Sequence, residues 1–290
     1  MKPAAFEYFS PRTTDETVAI LRRHGTEAKV LAGGQSLVPL MNMRLARPRV
    51  LVDINGITAL EYVSATPTAL RIGALARQRT VETSRLVAER CPLLRDALRL
   101  VGHVQIRNRG TVGGSIAHAD PAAELPAVLA TLGGEVTVQG PHGRRTIPAA
   151  QLFVTYLTTS LEADEVLTEV RFPVLPPDAG WSWMEIARRH GDFALAGVGV
   201  VLVVRVGVIT DVRIGLTGVA PIPMRASGAE RLLIGRAPSE ALWTEAADAV
   251  RGSVEPEGDI HASAAYRKHA SGVLAQRALR EALTRIRKAA

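Results

Sequence analysis

Short apolar runs and amphipathic runs alternate over the first part of the chain. Residues 6–9 are rich in aromatic side chains and predict an edge-like strand, whereas 30–32 and 50–54 are short, apolar and typical of buried strands. Helices are predicted over 14–23 and 37–45, where apolar residues recur at helical spacing. This alternation predicts a small βαβαβ unit with parallel strands and right-handed crossovers.

Start and stop signals flank both helices. Thr13 and Glu16 form a capping-box pattern before the first helix, and Gly25 follows its last turn. Ser36 is the predicted N-cap of the second helix, and Pro48 stops it.

The diglycine Gly33-Gly34 separates the second strand from the second helix. Only glycine reaches positive φ without steric cost, so the pair permits an abrupt turn that leaves backbone N–H groups unpaired. Free N–H donors at the mouth of a helix favour a bound anion. The alternative is a tight strand–helix turn that binds nothing. A second copy of the pattern further along the chain favours the anion site.

The pattern of apolar and polar residues changes after residue 60, and from there to Pro173 it predicts short strands that alternate with helices. One helix is predicted from 80 to about 101, another starts near Pro121, and 140–143 reads as a hairpin turn. The segment therefore predicts an antiparallel sheet that carries helices, an α+β arrangement. The predicted strands are 62–64, 70–74, 135–138, 145–147 and 166–172.

The second diglycine motif, Gly113-Gly114-Ser115, repeats the small residues of the first. Asp120 is a predicted N-cap with Pro121 at the first helical position, and the alternative is that its carboxylate contacts a ligand. Glu124 lies one turn into that helix and is either solvated or a hydrogen-bond acceptor for a ribose or a ring group. His118 is interpreted as a packed or surface imidazole rather than a general base, because no nucleophile or carboxylate partner is evident by spacing.

A proline-rich joint at 173–177 leads into a third pattern of strands followed by helices. Gly207 is the predicted turn between the last two strands. The apolar stripe on the final helix predicts core packing. Strands are predicted over 181–188, 197–206 and 208–219, and helices over 226–234, 239–250 and 262–288.

Composition narrows the class of protein. The 290 residues are 47% apolar, carry a formal charge of +7 and contain only 4% aromatic residues. Scattered basic residues and few aromatics argue against nucleic-acid binding, and an anionic cofactor with an acidic partner explains the charge equally well. Cys91 is the only cysteine, which excludes an internal disulfide and a cysteine-ligated cluster. No signal peptide or bilayer-spanning run is evident, so the cytoplasm is the expected location.

Three stretches resemble one protein family: LAGGQSLVPLMNMRLARP, IRNRGTVGGSIAHADPAAELP and, near the C-terminus, AAYRKHASGVLAQRAL. They are similar to the FAD-binding medium subunit of the molybdenum hydroxylases. That family includes aerobic carbon monoxide dehydrogenase, nicotinate- and quinoline-type dehydrogenases and the flavin domain of xanthine dehydrogenase. The resemblance covers nearly the whole chain, with both diglycine motifs at the family's spacing.

The resemblance implies a p-cresol-methylhydroxylase type FAD-binding fold of the α+β class. A small N-terminal α/β subdomain (1–57) and a middle antiparallel-sheet subdomain (58–175) would clamp an extended FAD that is bound non-covalently. A C-terminal domain (176–290) would add a three-stranded sheet and helices.

By motif match, the resemblance assigns the FAD pyrophosphate to the two diglycine loops, where close backbone approach excludes larger side chains. Glu124 matches an acidic position near the FAD, Leu167 matches an apolar contact to the adenine half, and Asp120 is a further ligand candidate. The loop residues assigned to the cofactor are Ala32, Gly33, Gly34, Gln35, Ser36, Leu37, Thr111, Gly113, Gly114 and Ser115.

The loop 188–197 is expected near the flavin ring. The family carries an aromatic residue, often tyrosine, after Gly-Asp. Here Phe193 follows Asp192, so the aromatic face is kept and a hydroxyl is lost. The alternative is a core phenylalanine in a turn. Arg188 and Arg189 would stabilise a reduced, anionic flavin, or they are solvated surface residues. No residue of this chain is assigned to substrate chemistry or to a metal.

The resemblance also implies two partner chains, a small iron–sulfur subunit and a large molybdenum subunit, with a dimer of heterotrimers as the family's usual assembly. Electrons would pass from iron–sulfur clusters through FAD to NAD, a quinone, oxygen or another acceptor. A stand-alone flavin oxidase of the same fold is the alternative. It would often attach its flavin covalently, for which His24, His103 and His118 are candidates.

Overall fold

A small parallel sheet opens the structure, a computed structural model that describes the backbone of residues 1–289 and the side chains through Ile286. Its strands run parallel, with the third strand of the chain in the centre. The predicted βαβαβ unit is therefore present. Its elements are β1 (Glu7–Phe9), α1 (Thr14–His24), β2 (Ala28–Leu31), α2 (Leu37–Asn42) and β3 (Val50–Asp53).

The caps of these two helices differ from each other. The hydroxyl of Thr13 accepts a hydrogen bond from the Glu16 N–H at 3.1 Å, and Gly25 ends α1 with φ +52°, both as predicted. Ser36 is the N-cap residue of α2, as predicted, but its side chain makes no capping hydrogen bond. Helix α2 also ends before the predicted residue 45, because Arg44 adopts φ +59° and turns the chain away.

A five-stranded antiparallel sheet forms the middle of the molecule. Its strand order is β4-β5-β10-β6-β7, and β8 pairs with β9 in a separate hairpin. The strands are β4 (Val63–Ala65), β5 (Ala69–Gly73), β6 (Glu135–Gly140), β7 (Gly143–Pro148), β8 (Phe153–Thr155), β9 (Thr158–Thr159) and β10 (Val166–Pro173).

The helix predicted over 80–101 is divided into three, and two further short helices follow it. Ser84 adopts an extended backbone and accepts a hydrogen bond from the Val87 N–H, and Pro92 opens a new helix, which explains both breaks. The helices of the middle part are α3 (Gln78–Thr83), α4 (Arg85–Arg90), α5 (Pro92–Leu98), α6 (Val104–Arg109), α7 (Val112–His118), α8 (Glu124–Leu132) and α9 (Ala149–Leu152).

A second antiparallel sheet, covered by helices, forms the C-terminal part. It contains the three predicted strands and a two-residue fourth strand, in the order β11-β12-β13-β14. None of the helices within residues 1–289 has both the length and the apolar character that a membrane span requires. The elements are β11 (Ala179–Ile186), β12 (Ala196–Arg205), β13 (Val208–Thr217), β14 (Met224–Arg225), α10 (Ser227–Leu233), α11 (Glu240–Ser253) and α12 (Ala264–Ala289).

Three hydrophobic clusters form the interior of the part of the chain whose side chains the structure describes, and two of them extend across the predicted domain boundaries. Leu75 and Val166 pack with the N-terminal cluster, and Trp183 and Val201 pack with the middle cluster. The parts are therefore joined by shared apolar packing, which holds the loops between them in fixed positions. The boundaries at residues 57 and 175 stay a prediction.

Candidate cofactor site

The two diglycine loops touch each other. A Cβ atom placed on Gly33 would lie 2.6 Å from the Arg109 carbonyl oxygen and 2.8 Å from the Gly110 Cα. A Cβ on Gly114 would lie 3.7 Å from the Cβ of Ala32. The N-terminal loop and the loop that joins α6 to α7 are thus in backbone contact, and the missing side chain at Gly33 permits that contact.

The first loop presents free hydrogen-bond donors. Within residues 1–289, no backbone or side-chain oxygen accepts a hydrogen bond from the N–H groups of residues 33–37. Gly34 adopts φ +73°, which turns the chain from β2 into α2. Buried or half-buried N–H groups need an acceptor from somewhere, and a run of consecutive N–H groups in a turn is a known cradle for anions.

The second loop has a different environment. The N–H of Gly113 donates to the Ala74 carbonyl at 2.9 Å, and the N–H of Gly114 donates to the Thr111 hydroxyl at 3.1 Å. The N–H of Ser115 donates to the Thr111 carbonyl at 3.2 Å. These three N–H groups are therefore satisfied within the protein. A Cβ on Gly113 would lie 2.6 Å from that of Ala74, so this glycine serves close packing against the end of β5.

A chain of hydrogen bonds through Arg77 and Asn55, here called the strap, connects the two loops. The sequence analysis did not predict it. Arg77 donates to the Arg109 carbonyl at 2.6 Å and to the Asn55 side-chain oxygen at 2.8 Å. Asn55 in turn donates to the Ala32 carbonyl at 2.8 Å. The strap thus connects Ala32 in the first loop with Arg109 in the second, next to the contact at Gly33. Neither Arg77 nor Asn55 belongs to a sequence motif that would have predicted this role.

Asp53 supports this strap from the end of β3. Its carboxylate accepts hydrogen bonds from the Asn55 N–H at 2.9 Å and from the Tyr8 hydroxyl at 2.7 Å. Burial alone would raise its pKa, but these hydrogen bonds outweigh burial and hold the pKa of Asp53 below its usual value. Asp53 therefore stays ionised and keeps Asn55 oriented.

Helix α8 begins later than the sequence predicts. Its N-cap is Ala123, so the prediction that Asp120 caps this helix was wrong. The Asp120 carboxylate instead accepts a hydrogen bond from the Ala122 N–H at 2.8 Å, an Asx turn that delays the helix. Glu124 is consequently the first helical residue rather than a residue one turn inside.

Glu124 is buried, with 5% of its surface exposed, so the solvated alternative was wrong. Burial first, and then the negative charge of Glu185, raises the pKa of Glu124 to about 8. Burial also raises the pKa of Glu185, although the indole N–H of Trp183 donates to its carboxylate at 2.9 Å. Glu185 was missed from the sequence, although period-two alternation puts it on the same face of β11 as Trp183.

The three histidines and Leu167 that the sequence marked as candidates lie in separate places. His118 ends α7 and is half-buried, and burial lowers its pKa, so the ring is mainly neutral at pH 7. His103 is an exposed N-cap of α6, and His24 packs on Phe9. Leu167 lies in the core of the middle sheet, opposite Val138. Its contact with adenine stays a prediction.

The loop between β11 and β12 is solvent-facing at its tip. Phe193 is 62% exposed, so the interpretation as a core phenylalanine was wrong. Arg188 is exposed and approaches the His261 carbonyl at 3.5 Å, while Arg189 pairs with Asp192 at 3.4 Å. An open aromatic face with arginines beside it is available to a ligand or a partner, and its proximity to a flavin stays a prediction.

Two further contacts dock this loop. A Cβ placed on Gly191 would lie 2.5 Å from the imidazole of His103, so the loop rests on the start of α6, the helix whose other end meets Gly33. Arg267, from the third sequence signature, is buried and donates to the carbonyls of Leu195 at 2.8 Å and Gly218 at 3.1 Å. That signature therefore has a structural explanation.

Two family profiles match the chain. The profile for the FAD binding domain in molybdopterin dehydrogenase matches residues 4–175, and that for the CO dehydrogenase flavoprotein C-terminal domain matches residues 181–282. The chain belongs to the FAD-binding medium subunits of the molybdenum hydroxylases. As a member, this flavoprotein subunit carries FAD and is one chain of a multi-subunit oxidoreductase.

Individual relatives align over almost their whole length. The carbon monoxide dehydrogenase medium chain of Hydrogenophaga pseudoflava is 38% identical over 285 residues, which span 98% of this chain and 99% of that one. The nicotine 6-hydroxylase medium subunit of Paenarthrobacter nicotinovorans is 41% identical, spanning 97% and 99%. A carbon monoxide dehydrogenase structure from Hydrogenophaga pseudoflava superposes with a TM-score of 0.96 at 40% identity, covering 98% of this chain and 99% of that chain. The flavoprotein subunit thus has the fold that its sequence predicted.

Proposed function

We propose that the first diglycine loop binds the pyrophosphate of FAD through the N–H groups of residues 33–37. The observation that carries this proposal is the run of consecutive donors with no acceptor within residues 1–289. A diphosphate has several anionic oxygens, and such oxygens are the acceptors that a run of backbone N–H groups favours. Those residues therefore fit the cofactor that the family binds.

The other predicted contacts divide into three roles. Thr111, Gly113, Gly114 and Ser115 form the opposite wall, where the glycines provide close packing and not free donors. Glu124 would accept a hydrogen bond from a ribose or a ring group of the FAD, and Asp120 is a further candidate contact. Leu167 contributes apolar packing on the adenine side. Arg77 and Asn55 hold the two walls together and are positioning residues.

FAD supplies one- and two-electron redox chemistry when it is bound, and the chain contributes binding, orientation and electrostatics. In this proposal the exposed face of Phe193 and the neighbouring Arg188 would border the flavin ring. Asp192 pairs with Arg189 and keeps the loop compact. This chain carries no predicted group for substrate chemistry, so its task is to relay electrons to an external acceptor.

Partner chains complete the enzyme in this proposal. Cys91 is fully buried and cannot ligate a cluster by itself, so the iron–sulfur clusters lie on a small subunit and the molybdenum cofactor on a large one. The names of several relatives, "medium chain" and "medium subunit", support an assembly of at least three kinds of chain. The assembly is a dimer of heterotrimers in the cytoplasm.

Purification of the native complex tests this function. We expect flavin, iron and molybdenum to copurify with this chain, and acid precipitation to release the flavin into the supernatant. Flavin that stays in the pellet, together with oxidase activity of the isolated chain, would support the stand-alone flavin oxidase instead. A chain that purifies without flavin and does not take up added FAD would contradict both readings.

A further inference from the structure

The imidazole of His103 packs against the tip of the loop between β11 and β12, here residues 189–193. A Cβ atom built on Gly191 would lie 2.5 Å from Cε1, 2.8 Å from Nδ1 and 2.9 Å from Nε2 of that ring, so an α-hydrogen of Gly191 points at the ring. Gly191 also adopts φ +89°, a conformation that favours glycine. The ring of His190 lies 6.0 Å from that of His103, centroid to centroid. The tip of the loop is therefore in direct contact with the middle part of the molecule.

The backbone of His103 is held in a fixed place. Its carbonyl accepts a hydrogen bond from the Arg107 N–H at 3.0 Å. The buried guanidinium of Arg107 donates to the carbonyls of the two preceding residues, Val101 at 2.8 Å and Gly102 at 3.2 Å. The same guanidinium pairs with Glu82 at 2.8 Å. Movement of this segment would leave a buried charge and two carbonyls unpaired, which is costly.

Helix α6 connects His103 with the first diglycine loop. The Arg109 carbonyl, at the end of the helix, lies 2.6 Å from the position of a Cβ on Gly33 and accepts a hydrogen bond from Arg77 at 2.6 Å. The helix has 6 residues and is about 9 Å long. One short helix thus sets the distance between the first diglycine loop and the tip. In FAD a ribityl chain separates the diphosphate from the flavin ring, so a spacer of fixed length between these two loops suits that cofactor.

Phe193 depends on the backbone of the loop for its position. It lies two residues after Gly191 and is 62% exposed, so its own side chain has little packing to hold it. The base of the loop is fastened to the C-terminal part, because the Leu195 N–H donates to the Ile186 carbonyl at 2.7 Å and Arg267 donates to the Leu195 carbonyl at 2.8 Å. The tip, where Phe193 lies, instead packs on the middle part through Gly191.

We propose that His103 is a positioning residue that holds Phe193 beside the flavin ring. The contact between His103 and Gly191 is independent of the cofactor, whereas the link to the flavin rests on the proposed function, because it assumes that Phe193 borders the ring. The ring of His103 meets an α-hydrogen and not a charged group, so its flat face makes the contact and a phenyl ring should replace it. Loss of the ring should free the tip and leave the first diglycine loop unchanged.

Hydrogen–deuterium exchange of the cofactor-free protein tests the contact. The Asp192 N–H donates to the Arg189 carbonyl at 3.1 Å within the tip, and the Leu195 N–H is bonded at the base. We expect His103→Ala to speed exchange at Asp192 by about 2- to 12-fold, the size of one aromatic contact, and to leave Leu195 unchanged. His103→Phe should restore the wild-type rate.

The matched control is His142→Ala, which removes another exposed imidazole, from the turn between β6 and β7. It should exchange like wild type at Asp192. Unchanged exchange at Asp192 in His103→Ala, or exchange in His103→Phe as fast as in His103→Ala, would overturn the contact.

Oxidation of the reduced, FAD-loaded subunit by ferricyanide tests the link to the flavin. We expect Phe193→Ala to change the oxidation rate, and His103→Ala to shift it towards the Phe193→Ala value with FAD affinity unchanged. His103→Phe should keep the wild-type rate. In the double variant, His103→Ala should add nothing to Phe193→Ala, because both act through one side chain.

Effects of the two substitutions that multiply, or an oxidation rate that neither of them changes, would overturn the role of His103 in positioning Phe193 at the flavin. Failure of the proposed function would look different, because the wild-type subunit would then bind no FAD.

Discussion

The contact at Gly33 offers the sharpest mutational test of the site. In Gly33→Ala the new methyl group would lie 2.6 Å from the Arg109 carbonyl oxygen, 2.8 Å from the Gly110 Cα and 3.0 Å from the Thr111 nitrogen. All three are backbone atoms, so no side-chain rotation can relieve the overlap. The two loops would have to separate by about 0.8 Å to change 2.6 Å into an ordinary contact of 3.4 Å.

The magnitude follows from the cost of overpacking. A methyl group inserted into a well-packed site costs about 1–3 kcal/mol, and here the relief requires opening the cleft between the loops. A loss of that size weakens FAD binding about 5- to 150-fold, since each 1.4 kcal/mol is roughly a factor of ten. The middle and C-terminal sheets do not contain the contact, so we expect the fold to survive.

The assay is FAD titration of the cofactor-free subunit, with urea unfolding as the measure of stability. Gly228→Ala is the matched control, because a Cβ at Gly228 meets no atom within 4 Å. We expect wild-type FAD affinity in the control and weakened FAD affinity in Gly33→Ala. Equal affinity and equal stability in both variants would refute the reasoning that the loops meet at Gly33.

Three smaller changes examine other parts of the structure. Arg77→Ala removes the strap to Asn55 and should cost about 1–3 kcal/mol in FAD binding with little change in secondary structure by circular dichroism; unchanged affinity would refute its positioning role. Val206→Asn should raise the free energy of unfolding in urea by roughly 0.5–1 kcal/mol. Val206 is fully exposed and adopts φ +50° just before Gly207, and an Asn-Gly pair favours this kind of turn. A lower free energy of unfolding would contradict this prediction. Cys91 should resist thiol reagents until the protein unfolds, because burial raises the pKa of its thiol to about 12; rapid labelling of the native protein would contradict that.

Local signals were enough to predict the framework of the fold. Apolar periodicity, the Thr13 cap and the turn residues predicted β1–β7 and β10–β13 to within a few residues, but they did not predict the short strands β8, β9 and β14. The division of the helix over 80–101 was not predicted, because Ser84 and Pro92 lie within an apolar pattern that continues through both breaks. The delayed start of α8 was also missed, since an Asx turn at Asp120 and an N-cap look alike in sequence.

The sequence predicted the glycines of the site but not the polar contacts between residues that are distant in the chain. Gly33 and Gly34 are recognisable in the sequence because they separate a predicted strand from a predicted helix. The residue that Gly33 contacts, Arg109, is 76 positions away, and that contact depends on the tertiary fold. The strap through Arg77 and Asn55 likewise joins four separate segments, at Ala32, Asn55, Arg77 and Arg109. Sequence also suggested equal roles for both diglycines, whereas hydrogen bonding inside the protein distinguishes the second from the first.

Hydrogen–deuterium exchange at residues 33–37 tests most directly whether the first diglycine loop binds the pyrophosphate of FAD. Without FAD, the amides of this loop have no acceptor within the described residues 1–289 and should exchange quickly, whereas added FAD should slow them strongly. The amides of Gly113 and Gly114 are already bonded within the protein and should change little. Full flavin occupancy with unchanged exchange at residues 33–37 would contradict the proposed site.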